Sequence, residues 1–72
     1  DLYESTVPVL EFLTDLIQEG TIILFDDWNC FRGNPDRGEQ KAFSEWLAKN
    51  PIIKAIPFMK FHWNGAVFLM RR

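Results

Sequence analysis

Asp26 and Asp27 stand side by side where an apolar run, Thr21-Ile22-Ile23-Leu24-Phe25, gives out. Two adjacent carboxylates do not belong in a core unless a cation meets them. At the carboxyl end of a strand in an α/β sheet they fall where such folds usually bind ligands. Strand-end carboxylates are oxygen donors suited to a hard divalent cation such as Mg²⁺, with water and substrate oxygens filling the other positions. Neighbouring side chains of a strand point to opposite faces, so both can hold one ion only if the strand breaks there. The sequence from Trp28 to Pro35, with Asn29, Gly33 and Asn34, permits that break. The competing account is structural: one Asp caps a turn and the other is solvated.

Other reactive side chains are isolated. His62 is the single histidine, beside Trp63 and just ahead of an Asn64-Gly65 turn signal; a lone His there is more simply exposed or bonded to backbone than catalytic. Cys30 has no His or basic cluster beside it to make a thiolate and no second Cys with which to build a zinc site or a disulfide. The default is therefore a reducing, cytoplasmic setting. Trp28 and Phe31 flank the loop and can either wall a substrate pocket or pack over the following helix, with packing the better-supported role. Asp1, Tyr3 and Glu4 precede a helix, where carboxylates favour the helix dipole; the functional alternative is that they line the same cleft as Asp26. Gly33 and Gly38 are separate and neither opens a helix straight after a strand, so no phosphate loop is present, and a phosphoryl-transfer role for the Asp pair is the weakest of the chemical readings.

The elements that must position these groups follow from periodicity. Residues 5–19 read as a helix: Ser5 or Thr6 as cap, Pro8 in the first turn, and Val9, Leu10, Leu13, Leu16 and Ile17 as one apolar stripe, with Phe12 at its side and Gly20 as the stop. Residues 21–25 are continuously apolar, as suits an internal parallel strand covered on both faces. Residues 36–49 read as a second helix opened by an Asp36–Glu39 capping box, striped by Ala42, Phe43, Trp46 and Leu47, and ended by Asn50-Pro51. Residues 52–59 favour a strand that Pro57 assigns to an edge or a bulge. Asn64-Gly65 then turns the chain into a last strand, 66–70, and Arg71-Arg72 ends in solvent. The order is α-β-α-β-β with an antiparallel closing hairpin. No strand precedes the first helix and the chain opens at Asp1 without Met, so the expectation is the later part of a larger sheet.

Composition sets the outer bounds. Seventy-two residues, 47% of them hydrophobic and 15% aromatic, make at most one small domain with a core that a partner would help to complete. Residues 1–36 hold eight acids and one base, and residues 37–72 two acids and seven bases. The bases are dispersed and the net charge is −2, which is no nucleic-acid footprint; solvated faces are the simpler account. No apolar run nears the roughly 18 residues that a membrane span needs.

Three segments together suggest a family: Asp-Leu-Tyr-Glu-Ser-Thr at 1–6, Phe-Asp-Asp-Trp at 25–28 and Gly-Ala-Val-Phe at 65–68. The chain resembles, over nearly its whole length, the carboxyl-terminal part of the macrocin O-methyltransferase-type enzymes, class I S-adenosylmethionine-dependent methyltransferases that modify sugar hydroxyls on natural products. The resemblance implies a partial Rossmann-like methyltransferase sheet whose last two strands form the closing pair, the final one antiparallel. It implies a divalent metal, Mg²⁺, held by three acidic residues. Two match Asp26 and Asp27, and the third would lie two residues before Asp1. Asp1 itself matches the position of a candidate general base for the acceptor hydroxyl of a small molecule. The glycine motif and ribose-binding acid of such enzymes belong to their earlier half, so residues 1–72 alone are expected to bind S-adenosylmethionine weakly at best and to be inactive. The alternative is a non-enzymatic α/β module that self-associates, or binds a protein, through an exposed sheet edge.

Overall fold

A computed structural model describes residues 2–29, 34–59 and 65–72. It is a small mixed α/β arrangement of two helices and a three-stranded antiparallel sheet, in the order α1 (Leu2–Leu13), β1 (Ile22–Phe25), α2 (Gly38–Lys49), β2 (Lys54–Met59) and β3 (Ala66–Arg71). The expected α-β-α-β-β order and the antiparallel closing hairpin are both present. Asp1, Cys30, Phe31, Gly33, His62, Trp63 and Asn64 lie outside the described residues.

The first helix is displaced from its expected span. It begins at Leu2, so Pro8 falls inside it instead of in its first turn, and it ends at Leu13 because the groups beyond bond differently. The amide of Thr14 donates to the Glu11 carbonyl, and those of Leu16 and Ile17 both turn back to Leu13. The Arg72 guanidinium donates to the carbonyls of Thr14 (2.6 Å) and Ile17 (3.2 Å), satisfying acceptors that a continuing helix would have used. Arg72 thus holds the end of the first helical segment, and Arg71 pairs with Glu19 at 2.7 Å, so the two arginines are exposed but engaged. The expected stripe is also redistributed. Leu10 and Ile17 are buried and Leu13 half-buried, whereas Val9, Leu16 and Phe12 face outward, Phe12 at 75% exposure. Tyr3 and Val7 take part in the packing instead. Gly20 adopts φ 90°, open to glycine at no steric cost, and hands the chain to β1; its amide reaches the Met70 carbonyl at 2.9 Å.

The sheet order is β1-β3-β2, with β3 antiparallel to both neighbours. β1 and β2 therefore run parallel to each other with the last strand wedged between them. This corrects the reading of residues 21–25 as an internal parallel strand. Among the described residues β1 has β3 as its one hydrogen-bonded neighbour, and Ile22 and Leu24 are 57% and 58% exposed. An unbroken apolar run marks a strand but carries no alternation to say which face is covered. Pro57 behaves as expected: β2 is an edge strand, and its register with β3 shifts between Pro57 and Met59.

The capping box at α2 does not form. The N-cap residue is Arg37, extended and without a side-chain cap bond; the Asp36 amide is taken by Asn34 Oδ1 at 2.9 Å, and Glu39 is engaged elsewhere. At the other end Asn50 stops the helix as expected, its amide bonding Leu47 O and its side chain Trp46 O.

Both helices contribute to one core on one side of the sheet. Leu10, Ile17, Phe25, Ala42, Phe43, Trp46, Ile53 and Met70 are its buried members. Phe43 is the hub: its ring lies 4.9 Å from Phe25, 5.6 Å from Trp28, 4.8 Å from Phe68 and 5.8 Å from Trp46. The Trp46 indole N–H is satisfied by Thr14 Oγ1 at 2.9 Å, which ties α2 to the end of α1. Truncating Phe43 to Ala should cost about 3–5 kcal/mol, enough to unfold much of so small a domain. Phe12→Ser, on the exposed side of α1, should stay within about 0.5 kcal/mol. Urea unfolding followed by circular dichroism separates the two; equal midpoints would refute this assignment of the core.

Candidate functional site

Phe25 is the last residue of β1 and is buried, with Trp28 tilted against it at 4.9 Å. The two aromatic anchors bracket Asp26 and Asp27. The chain bends there, which is the break needed for two neighbouring carboxylates to serve one site. Asp26 is exposed and Asp27 half-buried. The first turn of α2 fixes the bend from the other side: Glu39 Oε1 accepts the Asp27 amide at 3.1 Å, and Gln40 Nε2 donates to the Trp28 carbonyl at 2.8 Å.

Glu39 is the site residue that sequence reasoning missed, because its position three residues after Asp36 had a ready explanation as a capping acid. The available signal was an acid in the first turn of the helix that follows the Asp-Asp loop. Burial, the largest cause, pushes the Glu39 carboxyl above its ordinary value of 4.5, and the charges of Asp27 and Asp26 push the same way; the Asp27 amide, donating to it, pulls back. Three carboxylates are thus within electrostatic reach at the carboxyl end of β1.

Among the described residues, no group of three or more His, Cys, Asp or Glu is arranged to hold a metal ion. The Asp pair offers the right class of donor for a hard cation but not the full number, since the Glu39 carboxylate is bonded to backbone. Tyr3 is turned onto α2: its hydroxyl donates to Glu45 Oε1 and its ring lies 4.4 Å from Lys41 Nζ. That bond to Glu45, then burial and the Glu45 charge, raise the Tyr3 hydroxyl above its ordinary range.

Trp28 packs as expected and also borders a hollow. It packs on Phe43 and Phe68, and it also lines a hollow of about 320 Å³ with Pro57, Phe58, Met59, Ala66, Val67 and Phe68. This hollow opens at the end of the sheet that bears Asp26 and Asp27, because Phe25 pairs with Ala66 and Met59 with Val67. A second, larger hollow of about 410 Å³ lies between α1 and α2, floored by Val7, Leu10 and Trp46. No helix among the described residues is long and apolar enough to cross a membrane. No family model matches the chain, and no curated protein or solved structure matches it either.

Glu39 has a consequence for stability. A carboxyl raised in the fold binds its proton more tightly there than in the unfolded chain. Stability should therefore fall as pH rises from the ordinary 4.5 through the raised folded value. Glu39→Gln should flatten that segment of the profile in denaturant melts across the acidic range. An unchanged slope would remove Glu39 from the carboxylate cluster.

Proposed function

We propose that residues 1–72 are the carboxyl-terminal portion of a metal-dependent S-adenosylmethionine O-methyltransferase that acts on a hydroxyl of a sugar or other small molecule. The observation that carries this reading is the position of Asp26-Asp27, at the shared carboxyl end of two parallel strands with an antiparallel strand between them. An antiparallel final strand is what the methyltransferase resemblance implies, and a partial Rossmann-like sheet accommodates the arrangement. Open α/β sheets bind ligands in the crevice outside such strand ends.

Asp26 and Asp27 would supply two of the carboxylates for Mg²⁺, with the third assigned by the resemblance to a position two residues ahead of Asp1. A bound divalent cation lowers the pKa of the acceptor hydroxyl, and S-adenosylmethionine supplies the methyl group. Asp1 is the candidate base that takes the hydroxyl proton. Glu39 holds the Asp27 backbone in place, a positioning role. The aromatic hollow beside Trp28 offers an apolar wall to the acceptor. A cytoplasmic setting fits the single Cys30. A second reading, a non-enzymatic module that self-associates or binds a protein, is favoured by the edge position of β1 among the described residues.

The metal assignment is tested by calorimetric titration of Mg²⁺ into a polypeptide that joins this segment to a cofactor-binding half. Asp26→Asn with Asp27→Asn should lower metal affinity and methyl transfer by at least roughly a hundredfold, the upper range for loss of even outer-shell support. Methyl transfer retained by the double variant would sink the proposal.

A further inference from the structure

The connection from α1 to β1 is tied down by residues distant in sequence. Glu19 offers both carboxylate oxygens to Arg71 and Arg72: Oε2 accepts the Arg71 Nε–H at 2.7 Å, and Oε1 accepts the Arg72 amide at 3.2 Å. The Arg72 guanidinium folds back over the same connection. Its Nη1 donates to the Thr14 carbonyl at 2.6 Å and to the Ile17 carbonyl at 3.2 Å. Two consecutive arginines thus grip residues 14–19 from both ends.

Within that connection the bonds are those of turns. The Leu16 and Ile17 amides share the Leu13 carbonyl, the Gln18 amide donates to Thr21 Oγ1, and the Thr21 amide donates to the Gln18 carbonyl. The connection is also held by the burial of Ile17 and by the backbone bonds that Gly20 and Thr21 make with Met70. Thr14 carries the grip further. Its hydroxyl donates to the Leu10 carbonyl at 3.0 Å and accepts the Trp46 indole N–H at 2.9 Å. Arg72 is therefore linked to α2 through the two ends of one threonine. Thr14 and Trp46 also line the hollow of about 410 Å³ between the helices.

We propose that Glu19, Arg71 and Arg72 form a clasp that opens as one unit over residues 14–19, and that its opening loosens the Thr14–Trp46 bond at the wall of that hollow. The basis is a difference in kind between the ties. Arg71 and Glu19 are each 57% exposed, so their attraction is screened by salt and is small by itself. The ring cluster around Phe43 is held by apolar burial, which moderate salt leaves in place. Exposed polar ties open at lower cost than a buried core, so the clasp releases while the cluster stays closed. Glu19 fixes the backbone from which the Arg72 side chain reaches back, so loss of either residue opens the same unit. This device is independent of metal binding and of methyl transfer, and its failure would leave the reading of Asp26-Asp27 where it stands.

The test is amide and indole hydrogen exchange, followed by NMR on the 72-residue chain. Arg72→Met keeps an apolar stem and removes the donors. It should speed exchange at Gly20 and Thr21 about tenfold relative to Phe43, the scale of losing bonds to a charged but exposed group. The Trp46 indole N–H should shift and exchange faster as well. Glu19→Gln should give the same pattern, and the double variant should go no further than the stronger single one, because both remove one unit. In the unsubstituted chain, raising ionic strength from about 0.01 M to about 1 M shortens the screening length from roughly 30 Å to 3 Å and should reproduce the pattern. Unchanged exchange at Gly20 and Thr21 in Arg72→Met would overturn the clasp, as would additive effects of the two substitutions. Acceleration of Phe43 in step with Gly20 would mean global unfolding and would equally overturn it. A Trp46 indole that responds to neither substitution would remove the link to the hollow. Should either variant fail to fold, the salt series on the unsubstituted chain decides, and exchange indifferent to salt counts against the clasp.

Discussion

The packing of Phe25 against Phe43 is the contact on which the rest depends. Phe25 ends the strand that carries the site, and Phe43 is the centre of the helix that faces it. Trp28 and Phe68 close around the same pair, so four rings from β1, the loop after it, α2 and β3 meet in one cluster. Aromatic rings bury the largest area per side chain and pack in a few preferred geometries. Because the cluster straddles Asp26 and Asp27, the burial that stabilises the fold also fixes the two residues at the bend that ends the strand.

The same proximity brings Glu39 to the bend. Its carboxylate is drawn in by the Asp27 amide and opposed by burial and by two neighbouring charges. The charge segregation along the chain has a related outcome. The acidic first half and basic second half are not simply two solvated surfaces. Arg71 meets Glu19, Arg72 caps carbonyls behind α1, and Lys41 lies over Tyr3. These contacts join the first half of the chain to the second; being largely exposed, each contributes little alone.

Among the described residues, two helices pack on one face of the sheet, and Ile22, Leu24, Ile56 and Met59 on the other are exposed. Apolar area of that kind is removed from water by whatever packs on it next, whether the remainder of a larger sheet layer or a second chain.

Sequence patterning by itself determined the order of elements, the edge position of Pro57 and the stop at Asn50. It also determined the stripe of Ala42, Phe43 and Trp46 in the core, and a bend at Asp26-Asp27. These are local consequences of periodicity, a missing N–H and side chains that cap or break. It misjudged what depends on distant partners. The Thr14 and Ile17 carbonyls just beyond α1 are taken by Arg72, 58 residues past Thr14, and no local signal encodes such a contact. The role of Glu39 required knowing that the Asp27 amide would lie beside it and not at the cap. The neighbours of β1 were beyond reach as well, since five apolar residues in a row fit either face of a sheet. The tertiary structure made that choice by burying Phe25 on Phe43, which fixes the parity of the strand and leaves Ile22 and Leu24 on the side with no helix.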